Sequence, residues 1–192
     1  IGLLGRVAPQ VADIGDEPVT LAESSFLWDT DGWTVSLPGL ELVHGNKMIK
    51  AADEGGEDWY FVAPSKFLGA KRSAYGGQLS FRHGFFEYDS AGEDMKGGID
   101  VVLSSEQHGI TIGLSHVIPA WQFKSDHSLD LIESAGWVLE STGGPPSKPD
   151  MQRLLSSLSS LKIRGGFYVG HEDCYLMGVR MEAGPPDTSP KK

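Results

Sequence analysis

The chain has almost no cysteine: among its 192 residues only one, Cys174, carries a thiol. A single cysteine permits neither an intrachain disulfide nor a thiolate metal cluster, so the core alone has to hold the fold. Long apolar runs are missing too. No stretch approaches the roughly 20 residues that cross a bilayer as a helix, which excludes a helical transmembrane segment. Basic charge is scarce. The 16 Lys and Arg against 26 Asp and Glu give a net charge of −10. No basic stripe offsets it, so nucleic-acid binding through phosphate contacts is excluded and a basic partner or cation-rich compartment is more compatible. What is present is ordinary globular composition, 40% hydrophobic and 9% aromatic, in a chain long enough to bury one core.

Short apolar or alternating runs recur along the chain, among them Phe26–Trp28, Trp33–Leu37, Leu40–Val43, Trp59–Val62, Ile110–Leu114 and Tyr175–Glu182. Gly, Pro, Asp and Ser separate them, a pattern that predicts an all-β antiparallel sandwich. One helix interrupts it. Ser147 and Asp150 form a capping-box-like pair, Pro149 sits near the first turn, and Met151, Leu154, Leu155, Leu158 and Leu161 fall at helical spacing. That predicts a short helix near residues 149–160. Its apolar stripe has to pack against the sandwich, because about ten residues of helix do not persist alone in water. Residues 1–21, with Pro9 and Pro18 and no sustained period, read as an N-terminal arm or linker, residues 22–183 as the domain, and residues 184–192 as a disordered, Pro-rich tail. With Ile1 rather than Met at its head, the chain reads as a mature form from which any targeting segment has been removed.

The most informative stretch is Trp59–Phe81, WYFVAPSKFLGAKRSAYGGQLSF. Trp59 to Val62 suit a pleated, half-buried surface, and Pro64 stops the ladder by removing an N–H. Phe67 and Leu68 are expected to fold back onto the core, while Gly69, Gly76 and Gly77 free the backbone to turn. The loop reads as a packed clasp between two strands.

Ala63-Pro64, Phe67-Leu68-Gly69, Ser73-Ala74-Tyr75-Gly76-Gly77-Gln78-Leu79-Ser80-Phe81, then Gly136-Trp137 and the helix from Asp150, together resemble the laminin IV type A domain, the globular module that interrupts the short arms of laminins and perlecan. The resemblance covers roughly residues 26–182. It implies a jelly-roll-like sandwich with an architectural, non-catalytic role. The cysteine-dense repeats that flank this module in laminins are not seen at either end, so the resemblance implies a free-standing copy or an unusual host protein.

No motif supports catalysis. His44, His83, His108, His116, His127 and His171 are scattered without metal-ligand spacing, and the serines lack the Gly-x-Ser-x-Gly turn. Acids beside Cys174 disfavour its thiolate. The glycine pairs match no nucleotide-binding pattern and read as turns and bulges. Two ligand readings remain. Asp29 and Asp31 place two carboxylates in one turn, the oxygen-rich setting that calcium favours, against a plain Asx turn. Family members read Leu-Asp-Asn-Val or similar in the last strand, where this chain has Leu176-Met177-Gly178-Val179 and loses the oxygen ligands, so no cofactor is expected. The jelly-roll resemblance also implies kinship with carbohydrate-binding modules, for which Trp33 and Trp121 are the aromatic candidates, against burial in the core.

The expected function is a structural or protein-interaction module, an auxiliary part of a larger multi-subunit assembly, either in extracellular matrix or at the cell surface, or as an accessory subunit in an organelle lumen. The arm is the expected docking element. The alternative is a jelly-roll carbohydrate-binding module taking a glycan.

Overall fold

In the computed structural model, which describes residues 17–53, 56–87, 96–118 and 124–186, two antiparallel six-stranded sheets share one core. The first sheet runs β3 (Val43–Gly45), β4 (Met48–Asp53), β12 (Glu172–Glu182), β6 (Gln78–Glu87) and β9 (Lys124–Asp130), with β1 (Thr20–Ser24) also paired to β12. The second runs β10 (Val138–Leu139), β8 (Ile110–Leu114), β7 (Val101–Ser105), β11 (Ser160–Arg164), β5 (Tyr60–Val62) and β2 (Thr34–Val35). Alternation sets the inward faces. Val101 and Leu103 in β7, like Leu161 and Ile163 in β11, are fully buried while the residues between them are not. The all-β sandwich that the strand pattern predicts, with the jelly-roll-like form that the resemblance implies, is the fold found.

β12 organises the first sheet. Its first half carries β4 on one edge as far as Leu176, its second half carries β1 on that edge from Val179, and β6 runs along the other. The register shifts between Met177 and Val179, where Gly178 takes φ 58°. This is a β-bulge at the junction, and glycine there relieves the positive φ.

The helix α1 spans Lys148–Ser156, with the Ser147–Asp150 capping box formed and Pro149 in its first turn. It stops short of residue 160. Ser157 leaves the helical region at φ −151°, Leu158 bridges Gly69, and Leu161 enters β11 opposite Leu103. Leu158 and Leu161 are buried all the same, Leu158 beside its bridge to Gly69 and Leu161 in the ladder of β11. The clasp is stitched to this region. Leu158 N–H donates to Gly69 O at 2.9 Å, Gly69 N–H to Leu158 O at 2.7 Å, and Lys71 N–H to Leu155 O at 2.7 Å. Phe67 is fully buried and Leu68 partly so, as the sequence predicts.

The run Phe26–Trp28, read as a strand, is instead a loop. Phe26 takes φ 50°, which breaks the alternation and sends its ring into the core. β1 begins at Thr20, inside the segment read as an arm, while residues 1–16 and the tail from residue 187 lie outside the described residues.

Candidate functional site

The loop between β1 and β2 gathers most of the residues that the sequence singled out. Trp33 is 2% exposed, and its indole N–H donates to Ser24 Oγ at 2.9 Å. Its ring meets Phe26 and Phe67 edge-on, at centroid distances of 6.2 and 5.5 Å. Both faces of Trp33 therefore serve the core, since large aromatics contribute most when buried, and no sugar ring can stack on it. Trp121 lies outside the described residues.

Asp29 and Asp31 form an Asx turn: Asp31 N–H donates to Asp29 Oδ1 at 2.7 Å, and Trp33 N–H closes the turn on Thr30 O at 3.0 Å. The Lys66 ammonium donates to the Asp31 carboxylate and, at 2.5 Å, to Glu23 O. Burial raises the Asp31 carboxyl, but hydrogen bonds from Lys66 and Ser24 outweigh it and hold the group below the usual carboxylate range. A protein cation thus already neutralises the Asp31 carboxylate. Among the described residues no group of three or more His, Cys, Asp or Glu is gathered around a common point.

The residue that sequence reasoning missed is Trp28. It is 88% exposed, with Leu27 at 49% beside it. Neither side chain makes a hydrogen bond or ring contact among the described residues. The signal is hidden because Phe26-Leu27-Trp28 reads as one apolar run, and only the positive φ at Phe26 separates the inward ring from the outward one. The loop is held in place from behind, with His44 Nε2 lying 2.9 Å from Phe26 O.

Elsewhere the polar chemistry is structural. The solvent face of the first sheet opens into a cavity of about 610 Å³ whose walls carry two ion pairs. Arg82 grips Asp126 through two bonds of 2.7 and 2.9 Å, and Arg180 meets Glu23 at 2.8 Å. Ser125 Oγ and His127 Nε2 are 2.7 Å apart, but that ring lies tilted on Phe81 at 4.9 Å and burial lowers its basicity. Burial also pushes His83 down to about 3. The thiol of Cys174 is pushed well up by burial and by Glu172 and Asp173, so it is a core residue rather than a nucleophile. Glu172 is fully buried and accepts the amide hydrogens of Phe167 at 2.7 Å and Tyr168 at 3.2 Å, and burial raises its carboxyl to about 7. It ties down the turn before β12.

The two ends of the described chain lie together. β1 and β12 are antiparallel, with Thr20 opposite Glu182, and Ala183 N–H donates to Val19 O at 2.8 Å. Gly184 N–H bonds Ser73 O at 2.9 Å, and a Cβ on Gly184 would stand 2.0 Å from Tyr75 O, so only glycine fits this crossing.

Comparison with known proteins gives a consistent set of relatives. The family model described as Laminin B (Domain IV) matches residues 60–192. Laminin subunit gamma-1 of Homo sapiens is 28% identical over 175 residues, covering 86% of this chain and 10% of the relative. Laminin subunit gamma-2 of Equus caballus is 30% identical over 185 residues, covering 90% of this chain and 15% of the relative. The chain therefore spans a small fraction of the length of either subunit. Among solved structures, the L4b domain of human laminin alpha-2 superposes with a TM-score of 0.62 at 18% identity, covering 74% of this chain and 82% of that one. That likeness is one of fold.

Proposed function

Since the chain belongs to the laminin B (domain IV) family, we propose that it is a non-catalytic structural and protein-interaction module set into a longer extracellular matrix protein. The observation that carries this reading is the pairing of β1 with β12, which makes the polypeptide enter and leave the sandwich at one end. A module with paired ends can be placed within another chain without separating the segments on either side, as inserted domains require. The family is architectural rather than enzymatic, and the buried Cys174 and His83 fit that role. The laminin relatives favour an extracellular setting over an organelle lumen. Among the described residues, no helix is long and apolar enough to cross a membrane. Burial of Trp33 weighs against the glycan-binding alternative.

The test is insertion. Residues 17–186 placed in a surface hairpin of a host protein, whose strands lie about 4.8 Å apart, are expected to fold and to leave the host's melting transition in place. A host that no longer folds, with the module intact when expressed alone, would contradict the paired-end architecture.

A further inference from the structure

Trp28 stands on an ordered stalk. The Asx turn at Asp29, the bond from Trp33 N–H to Thr30 O and the contact of His44 with Phe26 O fix the loop from both sides. Phe26, a bulky residue at φ 50°, sits in a region that side chains of its size rarely adopt. With the backbone of its loop already held, binding has only the side-chain rotamers of Trp28 to order, and tryptophan is among the residue types that dominate interface energetics. Its neighbours state what it fits. Leu27 asks for an apolar surface rather than sugar hydroxyls, and the exposed carboxylate of Asp29, with no ion-pair partner among the described residues, asks for a cation.

Such a surface exists on the chain itself, at the opposite end of the β1–β12 ladder. A cavity of about 530 Å³ is walled by Tyr75, Pro185 and Pro186, and the exposed cations Arg72 and Lys148 stand at its rim. The Lys148 ammonium lies 5.3 Å from the centre of the Tyr75 ring, while the Arg72 guanidinium makes a 3.5 Å contact with Gln152. Trp28 follows Ser24, whereas the cavity borders Gly184, two residues past the partner of Thr20. The strand between separates them by on the order of 15 Å, so a tryptophan cannot reach the cavity of its own copy.

We propose that this chain associates head to tail, with Trp28 of one copy entering the cavity beside Tyr75 of the next and Asp29 meeting Arg72 and Lys148. The proposal rests on reading the chain as a protein-interaction module, and it names a second copy as the partner. The contact joins two different surfaces, so it is heterologous and generates open chains unless a rotation closes a ring. The net charge of −10 opposes association at long range, which makes the contact weak and dependent on the local match of charge.

Sedimentation equilibrium of the full chain from about 10 µM to about 1 mM, the range of small transient interfaces, tests this. The weight-average mass is expected to rise with concentration past that of a dimer. Trp28→Ser and Arg72→Glu, both surface changes, are each expected to leave a monomer that melts like the parent. Mixed together, they should form a dimer and nothing larger, because the pair retains one intact tryptophan and one intact cavity. A parent that stays monomeric, a Trp28→Ser variant that associates like the parent, or a mixture that fails to dimerise would overturn the proposal. The insertion test would be unaffected by any of these results, so the module reading stands or falls separately.

Discussion

The clasp between Ala63 and Gly77 turns Phe67 inward, fully buried against Trp33, whereas the loop from Ser25 to Gly32 sends Phe26 inward and leaves Trp28 88% exposed. Both loops are short on regular structure and both are pinned by backbone hydrogen bonds, the clasp to Leu155 and Leu158, the other loop through its own Asx turn. They differ in what lies behind them. The clasp has α1 and β11 to pack on, so its apolar residues add to the core. The tip of the other loop projects beyond the sheet, so its apolar residues add nothing to stability and are available for contact. An ordered loop is therefore a stabilising element or a recognition element according to where its aromatic points.

The largest effect should come from removing the support behind the clasp. Leu155→Asp puts an uncompensated charge at a fully buried position of α1, a cost of several kcal/mol against a total stability of about 5–15 kcal/mol. Circular dichroism should show an unfolded or barely folded domain; a variant melting like the parent would mean the helix is not part of the core. Phe67→Ala comes next. Emptying that position should cost about 3–5 kcal/mol, read from the denaturant midpoint at unchanged slope.

A third loop extends the contrast, because the turn at Phe167 and Tyr168 is held by a carboxyl group rather than by packing alone. With the folded Glu172 pKa raised to about 7 from an ordinary value of 4.5, the folded state holds its proton more tightly than the unfolded chain does. Its contribution is full below pH 4.5 and declines as pH rises to about 7. The buried His83, lowered to about 3 from 6.5, acts in the opposite sense, favouring the folded state above pH 6.5 and losing that effect as pH falls. The two slopes oppose each other between pH 4.5 and 6.5. Glu172→Gln keeps an acceptor for the two amides and removes the first slope. Its melting temperature is expected to overtake the parent's between about pH 5 and about pH 8, by a shift on the order of a few degrees; identical pH profiles would show that Glu172 is not protonated in the folded state. The smallest effect belongs to Trp28→Ser, which should change stability by no more than about 0.5 kcal/mol, since that side chain is 88% exposed.

Much of the fold is legible in the amino-acid sequence. The alternating runs, the Ser147–Asp150 cap and the clasp residues Phe67 and Leu68 all lie where local chemistry puts them, because period and capping are short-range properties. The end of the helix is less legible. Leu158 and Leu161 satisfy helical and strand positions equally well in sequence, and only the bridge of Leu158 to Gly69 and the pairing of β11 with β7 decide between them. The candidate surface is least legible of all. Trp28 and Trp33 flank the same Asp-Thr-Asp-Gly turn, and the left-handed backbone occurs at Phe26 and Asp31 as well as at Gly32, of which only the glycine announces that conformation in the sequence.

That division between buried and exposed tryptophans can be measured in one experiment. Fluorine NMR on the chain labelled with 5-fluorotryptophan, each resonance assigned by Trp→Phe replacement and recorded at low concentration with a soluble gadolinium chelate, reports the exposure of each ring. Trp28 is expected to relax strongly, while Trp33, Trp59 and Trp137, which are 2%, 0% and 1% exposed, stay protected. A protected Trp28, or a Trp33 relaxed as strongly as Trp28, would contradict the assignment of Trp28 to recognition and of Trp33, Trp59 and Trp137 to the core.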